Sequence, residues 1–282
     1  MNIALVSCAN LPDWEVDDQP LTNALKKLGA TVHHPSWTET IDWNQFDLSV
    51  IRTTWDYHHR KFEFVNWCKT VPRLFNNAQI VQWNTHKSYL QELETSGTKI
   101  APTIWINKNE NVDINKIMCA FECSKGFIKP QIGACASDTL RFSMDELELA
   151  QQFLTENIHQ DMMVQPYLES VETEGELTAI FIDGEFTHGV QKIPVKGDYR
   201  VQDDFGASDM PYSFTESEIE TMKQTISAVP NHFELLYARL DYLRDAGGSL
   251  LLNELELVEP SLFFRHCPES ADKFAKSIID RV

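Results

Sequence analysis

Hydrophobic positions over residues 1–78 come in short runs separated by amphipathic stretches, the pattern of strands alternating with helices. NIALVSC (2–8) reads as a buried strand, and PLTNALKKLG (20–29) as a short amphipathic helix closed by Gly29. TVHHP (31–35) and FDLSVIR (46–52) read as the second and third strands. Strands alternating with helices predict a parallel sheet, whose carboxyl ends are where ligands bind. Further on, the pattern predicts a helix over 85–95 ended by Ser96-Gly97, then strands in KIAPTIWI and GFIKP. A long helix should start at Ser143, where Glu146 completes a capping box. MMVQPYL (162–168) is a strand that stops at Pro166. Two hairpins follow: ELTAIFIDGEFTHGVQKI turns at Asp183-Gly184, and YARLDYLRDAGGSLLLNELELV at Gly247-Gly248. A helix over 215–229 separates them, and PESADKFAKSIIDRV closes the chain. The expected fold is therefore mixed. A parallel α/β unit (1–78) precedes two α+β units (79–167 and 168–282) built mainly from antiparallel strands.

One segment departs from the pattern. NELELVEPSL (253–262) places Glu254, Glu256 and Glu259 inside an apolar run. Residues two apart share a strand face, so Glu254 and Glu256 point the same way, with Leu252 and Val258 as same-face neighbours. Such a pair repels unless a cation sits between its members. Asp241 lies on the partner strand and joins them if the hairpin registers suitably. Hard oxygen ligands without His or Cys suit Mg²⁺. The alternative is an exposed acidic edge on an acidic protein. Glu259 faces away if the strand stays straight, and the turn at Pro260 can bring it back.

The formal charge of −18 argues against nucleic acid as a partner, because no basic stripe exists to replace phosphate counterions. It also directs attention to isolated lysines. Lys129 ends the apolar strand FIK before Pro130 and a loop of small residues, IGACASDT. It is either an ordinary strand-end lysine or one that reaches a phosphate held by the loop N–H groups. Gln165-Pro166 breaks a strand, either as a simple turn or so that backbone groups meet an adenine edge. Six cysteines without CxxC spacing read as reduced thiols of a cytoplasmic protein. No run approaches the roughly 18 apolar residues of a membrane span, and the N-terminus lacks the basic start of a signal peptide. A homodimer is the default assembly. No G-x-G-x-x-G follows the first strand, which disfavours a dinucleotide-binding dehydrogenase.

Taken in order, Lys87, FIKP, QPYL, the acids of EGE (174–176), IDGEF, Asp241 and Glu-x-Glu before a proline resemble the ATP-grasp superfamily. QPYLESVETEGELTAIFIDGE is similar to the matching region of bacterial glutathione synthetases. VIRTTWDY and NELELVEPSLF resemble the D-cycloserine-forming ATP-grasp ligases more closely. The resemblance covers residues 75–282, with a less similar unit before it. It implies an ADP-forming ligase that makes an acyl phosphate and passes it to an amine or related nucleophile. The substrates would be small carboxylates and amines, amino acid- or peptide-like. The cofactors would be ATP and Mg²⁺, with Mn²⁺ as an alternative.

Residue by residue, the resemblance gives Lys87 and Lys129 to the phosphates, and Gln165, Pro166, Tyr167 and Leu168 to the adenine hinge. Glu176 would take the ribose, and Asp241, Glu254 and Glu256 the metal. Lys192 and Arg200 would face the transferred phosphoryl group, with Gln202 nearby. The acceptor would lie on the N-terminal unit, with Arg52 clamping a carboxylate, Asp56 holding an amine, and Trp55 and Tyr57 as walls. An Arg52–Asp56 surface pair is the plain alternative there. Two departures stand out: the usual Glu-x-Asn is Glu-x-Glu, and the usual glycine-rich loop is Ile-Gly-Ala-Cys-Ala-Ser. The competing function is an ATP-binding sensor or scaffold without turnover.

Overall fold

The structure, a computed structural model, describes residues 1–11, 16–133, 138–201 and 205–282. It contains three sheets. The first holds β1 (Asn2–Ser7), β2 (Thr31–His33), β3 (Leu48–Thr53) and β4 (Leu74–Phe75), all parallel, in the order β2-β1-β3-β4. Its central strands are buried from Ile3 to Ser7 and from Leu48 to Thr53 because both faces are covered. Helix α1 (Gln19–Lys27) lies on one face, and α2 (Lys61–Thr70) packs with Trp37, Trp43 and Phe46 on the other.

Helices α3 (Ala78–Asn84) and α4 (Tyr89–Thr95) follow. The helix expected over 85–95 is α4, which begins only at Tyr89; α3 is an additional helix, and Thr85–Ser88 separates the two. Asn77 caps the first by accepting from the Gln79 and Ile80 N–H groups. The break carries Lys87, whose backbone N–H donates to Gln131 O at 2.7 Å.

The second sheet is antiparallel: β5 (Ile104–Ile106), β6 (Lys125–Pro130), β7 (Leu140–Ser143) and β8 (Met162–Pro166), in the order β5-β8-β6-β7. Helices α5 (Ile114–Phe121) and α6 (Leu147–Glu156) cover one face, packing on Ile128, Met162 and Val164. Strand alternation turns Phe127, Lys129 and Gln165 to the opposite face. The Ser143–Glu146 capping box is present, though a 3₁₀ turn over Met144–Glu146 precedes α6.

After α7 (Ser170–Thr173) comes the third sheet: β9 (Glu176–Ile182), β10 (Glu185–Ile193), β11 (Ser208–Tyr212), β12 (Tyr237–Arg244) and β13 (Leu250–Glu256). It is antiparallel in the order β11-β10-β9-β12-β13. Both hairpins turn where expected, with Asp183, Gly184 and Gly248 at positive φ. Helices α3, α4 and α8 (Glu216–Ser227) bury one face around Phe181, Met222, Leu240 and Leu252. The closing helix α9 (Pro268–Ile279) returns to the first sheet, where Phe274 and Ile278 join Leu21, Leu25 and Leu5 in one core. Among the described residues no helix is long and apolar enough to cross a membrane.

Candidate functional site

The helix-free face of the second sheet and part of the opposite face of the third, the rest of which packs against α9 through Ile180, Ile182 and Tyr237, look onto one cavity of about 480 Å³. Lys129, Gln165, Pro166, Tyr167 and Leu168 form its wall on the second sheet. Glu176, Lys192, Arg239, Asp241, Glu254 and Glu256 form the wall on the third, with Trp55 and Tyr57 contributed by the N-terminal unit.

Strand register builds the acidic wall. On β12, Ala238, Leu240 and Tyr242 face the helices, so Arg239 and Asp241 face the cavity. Asp241 pairs with Glu254, but Tyr242 pairs with Leu252, so β13 carries a bulge at Asn253. The bulge resolves the odd apolar neighbour of the sequence pattern. Leu252 points to the helix-side core and Glu254 to the cavity, although the two are two residues apart.

These groups form a continuous charge network. Asp241 Oδ1 accepts from Thr178 Oγ1 at 2.5 Å and Lys192 Nζ at 3.3 Å. Asp241 Oδ2 accepts from Arg239 Nε at 3.1 Å and Nη2 at 2.9 Å. Arg239 also pairs with Glu256, Lys192 with Glu176, and Lys87 with Glu254. Lys129 donates to Asn253 Oδ1 at 3.2 Å, and Asn253 donates to Glu176 Oε2 at 2.7 Å. Among the described residues no three His, Cys, Asp or Glu side chains converge on a shared metal position. Asp241, Glu254 and Glu256 each turn to a cation of the protein.

The cavity is nonetheless short of positive charge on its acidic side. Burial, reinforced by Glu254 and Asp241, pushes the Glu256 carboxyl up to about 7 despite Arg239. Burial, Glu256 and Glu254 push Glu259 well above the carboxylate range. Carboxylates so crowded suit a divalent cation, and the all-oxygen donor set suits Mg²⁺. Across the cavity, burial and the neighbouring Lys87 lower Lys129 to about 8, so it lacks an anion.

Arg200 lines the cavity but pairs with Asp198 at 2.6 Å and lies over the Phe205 ring. Gln202 lies outside the described residues, as do Ala134–Ser137 of the small-residue loop.

The structure corrects two expectations on the N-terminal unit. Arg52 is buried and holds Asp18 with two hydrogen bonds of 2.8 and 3.0 Å, so its guanidinium does not line the cavity. Asp56 is likewise off the wall, accepting from Trp37 Nε1 at 2.7 Å and pairing with Arg60. An aspartate 34 residues away in sequence takes Arg52, which no local pattern announces.

Sequence reasoning missed Arg239 and left Glu259 unplaced. Arg239 stands two residues before Asp241 on an alternating strand, which was the available signal. Glu259 had none, because its position depends on an irregular segment. Six successive carbonyls there each accept from a different side chain. Leu257 O takes Asn76 Nδ2 (2.7 Å), Val258 O the Tyr237 hydroxyl (2.7 Å), and Glu259 O Trp55 Nε1 (3.1 Å). Pro260 O takes Arg52 Nη2 (2.9 Å), Ser261 O Arg239 Nη1 (3.4 Å), and Leu262 O His188 Nε2 (3.1 Å). With no ladder partner, these buried carbonyls need side-chain donors.

The ATP-grasp domain model of prokaryotic glutathione synthetase matches residues 94–256. The chain belongs to that family. It is an enzyme, an ATP-grasp ligase, of a family whose members use ATP and Mg²⁺. The N-terminal domain model of D-cycloserine synthetase DcsG matches residues 3–76 of this ligase. The cycloserine biosynthesis protein DcsG of Streptomyces lavendulae is 28% identical over 296 residues, spanning 99% of this chain and 98% of that protein. The crystal structure of D-cycloserine synthetase DcsG superposes with a TM-score of 0.89 at 26% identity, covering 100% of this chain and 99% of that one. A structure of the ATP-grasp ligase PsnB with a precursor variant, Mg and ADP shares the fold at a TM-score of 0.68 and 14% identity, over 99% and 98% of the chains.

Proposed function

We propose that this ATP-grasp ligase is ADP-forming and Mg²⁺-dependent, and joins a carboxylate to an amine or related nucleophile through an acyl phosphate. The observation that carries the reading is the single cavity in which Lys87, Lys129 and Lys192 face the acids of β12 and β13. Phosphoryl transfer asks a protein for in-line positioning and for charge compensation, and little covalent chemistry. Lys87 and Lys129 would take the phosphates, exchanging Glu254 and Asn253 for phosphate oxygens. Gln165–Leu168 would receive the adenine, and the Glu176 carboxylate the ribose hydroxyls. Glu254 and Glu256 would hold Mg²⁺, or Mn²⁺ in its place, with Asp241 orienting Lys192 and Arg239 behind them. The metal supplies Lewis-acid neutralisation of the phosphate oxygens. Lys192 and Arg239 would meet the charge of the transferred phosphoryl group, with Arg200 on the same cavity wall. The substrate carboxylate attacks the γ-phosphorus, ADP leaves, and the nucleophile then displaces phosphate from the acyl carbon.

The relatives named for D-cycloserine favour a small amino acid-like substrate whose ring this enzyme closes, and D-cycloserine is the first product-side ligand to test. The test is ADP release from Mg-ATP with a panel of amino and carboxylic acids, with hydroxylamine to trap the acyl phosphate as a hydroxamate. Neither ADP nor hydroxamate across the panel would refute the ligase reading and leave a nucleotide sensor. Glu254→Gln should abolish ADP formation while the circular dichroism stays unchanged; full activity in it would return the β13 acids to a structural role.

A further inference from the structure

Glu259 is 9% exposed and lines the cavity, yet its carboxylate has no hydrogen bond or ion pair among the described residues. Every other acid on the wall has one: Glu176 holds Lys192, Asp241 and Glu256 hold Arg239, and Glu254 holds Lys87. A carboxyl group removed from water without a hydrogen-bond partner is costly in either protonation state, so the complement should come from outside the chain. The chain also invests in where this residue stands. Its own carbonyl is held by Trp55, the next by Arg52, and the one before by Tyr237, so it is fixed on both sides.

Its surroundings select the kind of cation. Trp55 and Tyr57, both from the N-terminal unit, line the same cavity. A divalent ion gains from oxygen donors and water and nothing from ring faces. An organic ammonium gains from a carboxylate and from aromatic faces together. Asp56, the residue the sequence offered for an amine, is turned away and bonded to Trp37.

We propose that Glu259 is the recognition carboxylate for an anchoring ammonium of the substrate, with Trp55 as its positioning residue. This rests on the ligase reading, and it narrows the substrate class to small carboxylic acids that also carry a protonated amine. The anchoring nitrogen is not the attacking one. It remains charged while the carboxylate elsewhere on the molecule is activated.

The experiment is calorimetric titration of the protein saturated with ADP and Mg²⁺. The probes are both enantiomers of alanine and serine, each against its hydroxy counterpart, lactate or glycerate, in which a hydroxyl replaces the ammonium. At least one amino acid should bind the wild-type protein about 30-fold more tightly than its hydroxy counterpart, since a buried charged pair is lost in the latter. Glu259→Gln should remove that preference while leaving ADP affinity and its Mg²⁺ dependence unchanged. Trp55→Phe keeps a ring and loses the N–H to the Glu259 carbonyl, so it should weaken amino acid binding and spare the hydroxy acid. Equal binding of amino and hydroxy acids, or a preference that survives Glu259→Gln, overturns the assignment. So does a raised Mg²⁺ requirement in Glu259→Gln, which would make the residue a metal ligand. Failure of the wild-type protein to bind ADP would instead overturn the ligase reading.

Discussion

Replacing Lys129 with methionine should make the nucleotide-free protein more stable at neutral pH while destroying its nucleotide affinity. Lys129 is 7% exposed, and its ammonium reaches Asn253 Oδ1 at 3.2 Å. Burial, and then Lys87, lower it from 10.5 to about 8. That gap corresponds to about 3 kcal/mol charged against the folded state wherever the lysine is protonated in both states. Losing the hydrogen bond to Asn253 offsets about 1 kcal/mol, leaving a net gain of about 2 kcal/mol for Lys129→Met. The sign follows from proton counting. Between about pH 8 and 10.5 the unfolded chain holds a proton that the folded chain has released, so wild-type stability rises with pH across that window. Below it the full penalty applies, and above it the penalty is gone. The advantage of Lys129→Met should therefore be largest at neutral pH and fade towards 10.5. Paired urea titrations of the two proteins from neutral pH upward measure the difference, in which the other titrating groups cancel. A saturating nucleotide should reverse the order, because a ligand at a hundred times its Kd stabilises the wild-type protein by about 2.7 kcal/mol. A variant less stable than wild type at neutral pH, or a stability difference that does not change with pH, would refute the reasoning.

Two further substitutions test the frame around the network. Arg239→Met leaves Asp241 and Glu256 without their guanidinium, and should cost about 3–5 kcal/mol of unfolding free energy by urea denaturation. Gly175→Ala should cost at least about 2 kcal/mol in the same assay. Gly175 has φ +77°, and a Cβ there would stand 2.2 Å from the Lys192 carbonyl oxygen. Displacing that strand should also lower the rate of ADP formation, because Lys192 shares its backbone.

Much of the architecture was legible because it is governed by local rules. Asp183-Gly184 and Gly247-Gly248 specify turns through their tolerance of positive φ, and both hairpins form there. Pro166 ends a strand because it lacks a donor, and the Ser143–Glu146 box starts a helix. Elements missed from the pattern are those whose burial comes from elsewhere. Strand β11 is an edge strand, SDMPY, with no alternation and a proline. Strand β4 has only two residues, fixed by pairing with β3.

The candidate site divides along the same line. The sequence by itself placed Glu254 and Glu256 on one face of an apolar strand, with Asp241 on the strand expected to pair with it, and Lys129 at the end of another. Period-two geometry carries that much, since it needs only the chain's own neighbours. Tertiary structure alone decided the partners. The bulge at Asn253 turned Leu252 away from Glu254, Asp18 claimed Arg52, and Trp37 claimed Asp56. It also brought Glu259 to the cavity wall, through donors on β3, β10, β12 and the loop after β3 that hold a segment with no ladder of its own. A buried charge or carbonyl must find its complement somewhere in space. Nothing in the spacing of residues says which distant side chain will supply it.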